Sequence, residues 1–207
     1  MSQFQYPPVD AVEVHRAVEI LRAGGLVAIP TETVYGLGVI SDSYVAFKKM
    51  VEAKNRPADK PFTLMCSEIN QIKNVTVLND KIRKLINHFM PGEITFLLKA
   101  KDNISEWIDL KTGKIGVRIP DFPLALNLIK KVGKPLLVPS ANPSGMAPAL
   151  DFDKVYEYFN NKIAGIINAK SGMHKPSTII DLTGDEPVLI REGNISLETI
   201  LKVWRNE

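Results

Sequence analysis

Lys54-Asn55-Arg56-Pro57-Ala58-Asp59-Lys60 packs three cations into seven residues. Such charges repel one another unless an anion lies between them. Arg offers a planar fork for phosphate or carboxylate, and Lys offers a compact point charge. One charge-assisted hydrogen bond to phosphate contributes roughly 1.5–3 kcal/mol, so three would organise a triphosphate. Pro57 and Pro61 stiffen the segment and lower its ordering cost. On spacing alone, a solvated basic loop reads the same way. A second segment, Ser140-Ala141-Asn142-Pro143-Ser144-Gly145, joins small side chains to free hydroxyls, so a ligand can come close to its backbone. Asn142 supplies both a donor and an acceptor, as recognition of a base or ribose needs. A plain turn has the same composition. A third, Thr31 to Gly38, sets two hydroxyls, a carboxylate and a phenol beside two glycines. Ser177-Thr178 adds two more hydroxyls, and Arg118 and Arg191 place a cation inside or at the end of strand-like runs.

Several chemistries are excluded. There is no GxxxxGK[ST] and no GxGxxG, so neither a P-loop nor a dinucleotide-binding turn is supported. His15, His88 and His174 are scattered, and Cys66 is the single cysteine. Neither a zinc site nor a hydrolase triad is expected. Trp107 and Trp204 read as packing residues, with no interleaving of aromatic and basic residues to mark an RNA platform.

The elements that must carry these loops alternate along the chain. Asp10 caps a helix with Val14, Val18 and Leu21 on its inner face, and Gly24-Gly25 stop it. Residues 26–29 form a buried strand ended by Pro30, and 31–38 a polar loop. Ser41 or Asp42 caps a second helix with Phe47, Met50 and Val51 inside. Strands are expected at 62–66, 94–98, 115–119, 136–138, 165–169, 177–182 and 187–191. Helices are expected around Ile82 to Phe89, ending at Pro91-Gly92, around Leu124 to Ile129, ending at Gly133, and at 152–159 and 196–204. This interleaving predicts an α/β fold, a twisted mixed sheet with helices packed on it, in one domain over 1–207. The polar loops adjoin strand ends, where open sheets bind ligands.

Composition sets the outer bounds. Of the 207 residues, 45% are hydrophobic and 24% charged, ordinary globular values that exclude a disordered tail or a disulfide scaffold. A net charge of +3 permits an anionic substrate or weak RNA contact but falls short of a dedicated nucleic-acid binder. No apolar run approaches the ~18 residues that cross a bilayer, and the N-terminus has no signal-peptide pattern. A soluble, cytoplasmic protein is expected, its lone cysteine fitting a reducing compartment.

Taken together, these segments resemble the threonylcarbamoyl-AMP synthase family, the YrdC/Sua5 proteins. The likeness runs from about residue 14 to residue 200 and rests on Pro30-Thr31-Glu32-Thr33-Val34-Tyr35-Gly36-Leu37-Gly38, Lys54-x-Arg56-Pro57 with Lys60-Pro61, Pro91-Gly92, Gly116-Val117-Arg118-Ile119-Pro120, Ser140-Ala141-Asn142-Pro143-Ser144-Gly145, Ser177-Thr178-Ile179-Ile180-Asp181 and Arg191-Glu192-Gly193. The family hallmark, Lys-x-Arg in one loop with Ser-x-Asn in another, is intact. The resemblance implies a YrdC-like fold with a concave, positively charged cavity. It also implies the joining of L-threonine, bicarbonate or CO2, and ATP into threonylcarbamoyl-adenylate, with release of pyrophosphate. Other proteins, a tRNA-modifying transferase complex, then use that adenylate to modify adenosine 37 of tRNA. The chain looks like the short form of the family. Lys54 and Arg56 are the expected catalytic cations, with Lys60 beside them. Arg56, Lys60, Asn142 and Arg191 are implied at ATP, and Thr33, Arg118, Ser140 and Ser177 at threonine. Mg2+ is expected to enter with ATP, bound mainly through its phosphates, with no metal site on the protein.

Two positions depart from the family pattern. Thr63-Leu64-Met65-Cys66 has Met65 where many members carry a histidine, and Ala147-Pro148-Ala149-Leu150 lacks the usual hydroxyls. The 62–66 strand resembles the YciO branch. The alternatives are therefore a YciO-like enzyme acting on modified tRNA or carbamoylated compounds, and a non-catalytic RNA-binding module.

Overall fold

The structure is a computed structural model in which residues 6–56, 62–172 and 175–207 are described. The strands are β1 Val27–Ile29, β2 Gly36–Ile40, β3 Thr63–Met65, β4 Ile94–Lys99, β5 Lys114–Arg118, β6 Leu136–Leu137, β7 Gly165–Ile166, β8 Thr178–Asp181 and β9 Val188–Arg191. The helices are α1 Val14–Arg22, α2 Tyr44–Ala53, α3 Ile69–Val75, α4 Asp80–Phe89, α5 Glu106–Asp109, α6 Pro123–Val132, α7 Phe152–Phe159 and α8 Leu197–Arg205. Among the described residues, nine strands form one sheet in the order β7-β1-β2-β6-β3-β5-β4-β8-β9. β1/β7, β3/β5 and β4/β8 pair in parallel and the other neighbours antiparallel. This is the mixed α/β sheet that the alternation of elements predicts.

The differences from expectation have local causes. The strand β2 lies where a polar loop was expected, because Gly36 and Gly38 disguise a fully buried apolar run. Both glycines are there for close approach. A Cβ on Gly36 would meet Val138 Cγ1 at 2.3 Å, and one on Gly38 would meet Ile29 Cδ1 at 2.5 Å. The first helix starts after Glu13, not at Asp10. Main-chain groups of Asp10 and Val12 pair with Ile166 on β7, so this stretch extends the sheet instead of capping a helix. Ser43 caps α2 by accepting from the Ala46 N–H at 3.2 Å. The Ser41 carbonyl accepts from Trp107, and Asp42 pairs with Lys134. The short helices α3 and α5 were not foreseen.

The core fills the middle of the sheet. Leu64 on β3, Phe96 and Leu98 on β4, and Ile115 and Val117 on β5 are all buried, as are Leu85 and Ile86 of α4 and Leu128 and Ile129 of α6. Burial on both faces explains why these strands read as near-continuous apolar runs. The same rigid sheet supplies fixed strand ends, and the polar loops hang from them.

Candidate active site

The end of α2 sets the geometry of Lys54 and Arg56. Asn55 adopts a left-handed backbone, φ 47°, and its N–H donates to the Glu52 carbonyl at 3.0 Å, while the Arg56 N–H donates to the Val51 carbonyl at 3.1 Å. These two bonds define a Schellman stop, with asparagine in the place that glycine most often fills. The chain therefore reverses between the two cations. Lys54 turns into the interior and is 1% exposed. Its Nζ donates to the Ser140 and Asn142 carbonyls, both at 2.5 Å, and its own carbonyl accepts from the Ser144 N–H at 2.8 Å. Burial, and then the charge of Arg56, draw the Lys54 pKa down to about 7. The Arg56 guanidinium lies 5.1 Å from the centre of the Phe62 ring, a cation–π contact that steers it towards the pocket.

The loop after β6 is closed by its own side chains. Ser140 Oγ donates to Asn142 Oδ1 at 2.6 Å, and Asn142 Nδ2 donates to the carbonyls of Pro143 at 2.9 Å and Met146 at 2.8 Å. Across the loop, the Ala141 N–H donates to the Tyr35 carbonyl at 2.7 Å. Tyr35 is itself anchored, its hydroxyl lying 3.0 Å from the Ile167 carbonyl.

The opposite wall is built from strand ends. Arg118 closes β5, is 5% exposed and donates through Nε to the Gly92 carbonyl at 3.2 Å, through Nη1 to Thr33 Oγ1 at 3.2 Å and through Nη2 to Glu32 Oε1 at 2.7 Å. Glu32 Oε1 also accepts from the Asp121 N–H at 2.8 Å, while its Oε2 is buried without a hydrogen-bond partner among the described residues. Arg191 closes β9 and donates through Nε and Nη2 to the Ser177 carbonyl at 3.0 and 2.8 Å, and through Nη2 to Ser177 Oγ at 3.2 Å. Ser177 Oγ in turn lies 2.9 Å from Thr95 Oγ1. Burial, and then the like charge of Arg118, lower the Arg191 pKa. Two guanidiniums lining one cavity make a place for an anion.

These walls enclose a cavity of about 170 Å³ that opens to solvent. Arg56, Arg118 and Arg191 line it with the hydroxyls of Thr31, Thr33, Thr63, Thr95, Ser140 and Ser177, and Phe62, Met65, Val138 and Ile179 give it an apolar side. No Asp or Glu lines it among the described residues. Three cations ringed by hydroxyls suit a multiply charged anion that also carries hydrogen-bonding groups.

Of the expected site residues, the structure brings Thr33, Arg56, Arg118, Ser140, Ser177 and Arg191 together on this cavity. Lys54 and Asn142 do not line it; they are bound into the 140–146 loop. Lys60, with Pro57 and Pro61, lies outside the described residues. Sequence reasoning passed over Glu32 as the partner of Arg118, and it passed over Thr95. A hydroxyl inside the apolar run Ile94 to Leu98, 2% exposed, was the signal available for Thr95. Met65, 3% exposed, faces the cavity at the position where the family pattern has a histidine, and its thioether offers no N–H.

Comparison with known proteins places the chain in a family. The Sua5/YciO/YrdC family model, described as "Telomere recombination", matches residues 19–193. The threonylcarbamoyl-AMP synthase of Bacillus subtilis is 37% identical over 191 residues, which cover 91% of this chain and 55% of that protein. The crystal structure of Pyrococcus abyssi Sua5 complexed with L-threonine superposes with a TM-score of 0.89 at 35% identity, over 94% of this chain and 60% of that one. The crystal structure of Escherichia coli YciO superposes with a TM-score of 0.83 at 29% identity, over 97% of this chain and 100% of that one. The chain thus spans little more than half the length of the Bacillus subtilis and Pyrococcus abyssi synthases, 94% of a shorter synthase from Shigella boydii at 34% identity, and the whole length of YciO.

Proposed function

The chain belongs to the Sua5/YciO/YrdC family, and from that premise we propose that it is an enzyme, a nucleotidyltransferase making L-threonylcarbamoyladenylate from L-threonine, bicarbonate or CO2, and ATP. The observation that carries this reading is the meeting of Arg56, Arg118 and Arg191 on one hydroxyl-lined cavity, from three distant parts of the chain.

The chemistry follows from charge. The threonine amine adds to CO2 and loses a proton, giving a carbamate. A carbamate oxygen then attacks the α-phosphorus of ATP; an O–P bond forms, the bond to the β-phosphate oxygen breaks, and pyrophosphate leaves. Such a step needs alignment and cationic stabilisation more than a covalent nucleophile. Arg56 and Arg191 hold the phosphates, with Lys60 as a further cation. Arg118, flanked by Thr33, takes the amino-acid carboxylate, with Ser140 and Ser177 at the same end. Asn142 serves the nucleotide through the loop it shapes. Mg2+ belongs to this reading as the ion of MgATP. The cavity walls offer it no carboxylate, and no three His, Cys, Asp or Glu gather as a cation site among the described residues, so the substrate phosphates would carry it. The adenylate feeds the modification of adenosine 37 in tRNA by a separate transferase complex, a cytoplasmic process; weak RNA contact fits the mildly basic chain. Among the described residues no helix is long and apolar enough to cross a membrane.

The test is threonine-dependent release of pyrophosphate from ATP in the presence of bicarbonate and magnesium. Release is expected; its absence beside a working synthase rejects the reading. Met65 in the cavity wall, where the family pattern has a histidine, favours a second reading, a YciO-like enzyme acting on modified tRNA. Loss of the threonylcarbamoyl group from modified tRNA without ATP would select it.

A further inference from the structure

Lys54 is enclosed and charged in character, yet it is not part of the cavity lining. Three hydrogen bonds tie this one residue to the 140–144 loop: Nζ to the Ser140 carbonyl, Nζ to the Asn142 carbonyl, and the Ser144 N–H to the Lys54 carbonyl. Two carbonyls two residues apart thus point at a single atom. Their negative ends repel each other, and an apolar side chain in that place would leave the Asn142 carbonyl without this donor and the Ser140 carbonyl with the Asn142 N–H at 3.0 Å. A lysine Nζ satisfies both at once, and as an ammonium it still has an N–H to spare. The Schellman stop fixes where Lys54 begins, so the point on which the carbonyls converge is set by α2. Ser140, whose main chain is pulled in this way, does line the cavity.

We propose that Lys54 is a positioning residue: its ammonium draws the Ser140 and Asn142 carbonyls together and so sets where Ser140 stands in the cavity wall, in place of touching the substrate's phosphates. The consequence for catalysis rests on the synthase reading above. The clamp itself does not, and it can be measured with no substrate present. Arg56, two residues on, is left as the member of the Lys-x-Arg pair that faces the ligand.

Hydrogen exchange on the ligand-free protein tests the clamp. Lys54→Met should raise exchange in peptides spanning 140–146 by about tenfold or more while the β4 and β5 peptides stay protected. Unchanged exchange in Lys54→Met overturns the proposal. Should Lys54→Met fail to fold, lysine acylation of the wild type decides: Lys54 should resist labelling equally with and without ATP. Labelling that ATP alone prevents overturns the proposal in favour of a phosphate contact. The catalytic half is read from a double-mutant cycle in pyrophosphate release. Ser140→Ala should cost about tenfold in kcat/KM in the wild type but under about twofold in the Lys54→Met background, because Lys54 acts through Ser140. Fully multiplicative losses contradict that coupling. If the wild type releases no pyrophosphate, the synthase reading fails while the exchange result still judges the clamp.

Discussion

The two walls of the cavity are held by different means. On the strand side, Arg118 and Arg191 project from β5 and β9 and are pinned by hydrogen bonds from their own guanidiniums. On the loop side, Ser140 is held by its hydroxyl on Asn142, by a main-chain bridge to Gly36 and by a buried lysine on its carbonyl. The strand wall presents charge on a rigid frame. The loop wall presents a hydroxyl held in part by two residues, Lys54 and Asn142, that do not line the cavity. A substitution on the strand side should delete a ligand contact and unbalance a buried charge, while one on the loop side should move a wall.

The largest effect expected from this contrast is at Arg118. Arg118→Ala removes the cation proposed for the substrate carboxylate and strands Glu32, which is mostly buried and already has an unsatisfied Oε2. Breaking a buried ion pair from one side costs about 3–5 kcal/mol. The variant should lose threonine-dependent turnover and melt well below the wild type. Adding Glu32→Ala should restore much of the melting temperature but none of the turnover. A double variant no more stable than the single one would show that the pair does not balance charge in the way described.

A smaller effect, on the loop side, is a pH dependence. The Lys54 pKa falls from 10.5 to about 7 in the folded protein. Between these values the unfolded chain binds the extra proton, so stability rises with pH, by at most about 1.4 kcal/mol per unit. Measured against Lys54→Met, wild-type stability should therefore climb from pH 7 to pH 9, with the burial penalty fully present below pH 7. The neutral amine still has two N–H groups for two carbonyls, so the clamp should survive the climb. Parallel pH–stability curves for the two proteins would contradict the assignment.

The smallest expected change is at Asn142. Asn142→Ala removes two donors to loop carbonyls, at roughly 1 kcal/mol each. Because it acts by loosening a wall, affinity for nucleotide and for threonine should fall together, each by several-fold. A loss confined to ATP would put the amide on the nucleotide itself.

The contrast between the walls also decides what the sequence could reveal. Arg118 and Arg191 were legible because a cation at the end of an apolar strand run has few bland explanations, and the hydroxyls beside them fell in loops at strand ends. The alternation of elements was enough for the mixed sheet. Its glycine-bearing strand β2 was not legible, since Gly36 and Gly38 read as turn residues until their close contacts with Val138 and Ile29 are known. The two loops at Lys54 and Ser140 could be marked as chemically loaded. However, the task of Lys54 depends on a carbonyl 86 residues away, and no local pattern encodes that distance. Glu32 was hidden for the same reason, because its partner Arg118 also lies 86 residues on.

The central claim, that one cavity takes an amino acid against its strand wall and a nucleotide alongside, is tested most directly by calorimetric titration. L-threonine is titrated into the protein alone and into the protein saturated with a non-hydrolysable ATP analogue. The account predicts a single threonine site that persists with nucleotide bound and disappears in Arg118→Ala. Mutual exclusion of the two ligands, or threonine binding that survives the loss of Arg118, would contradict it.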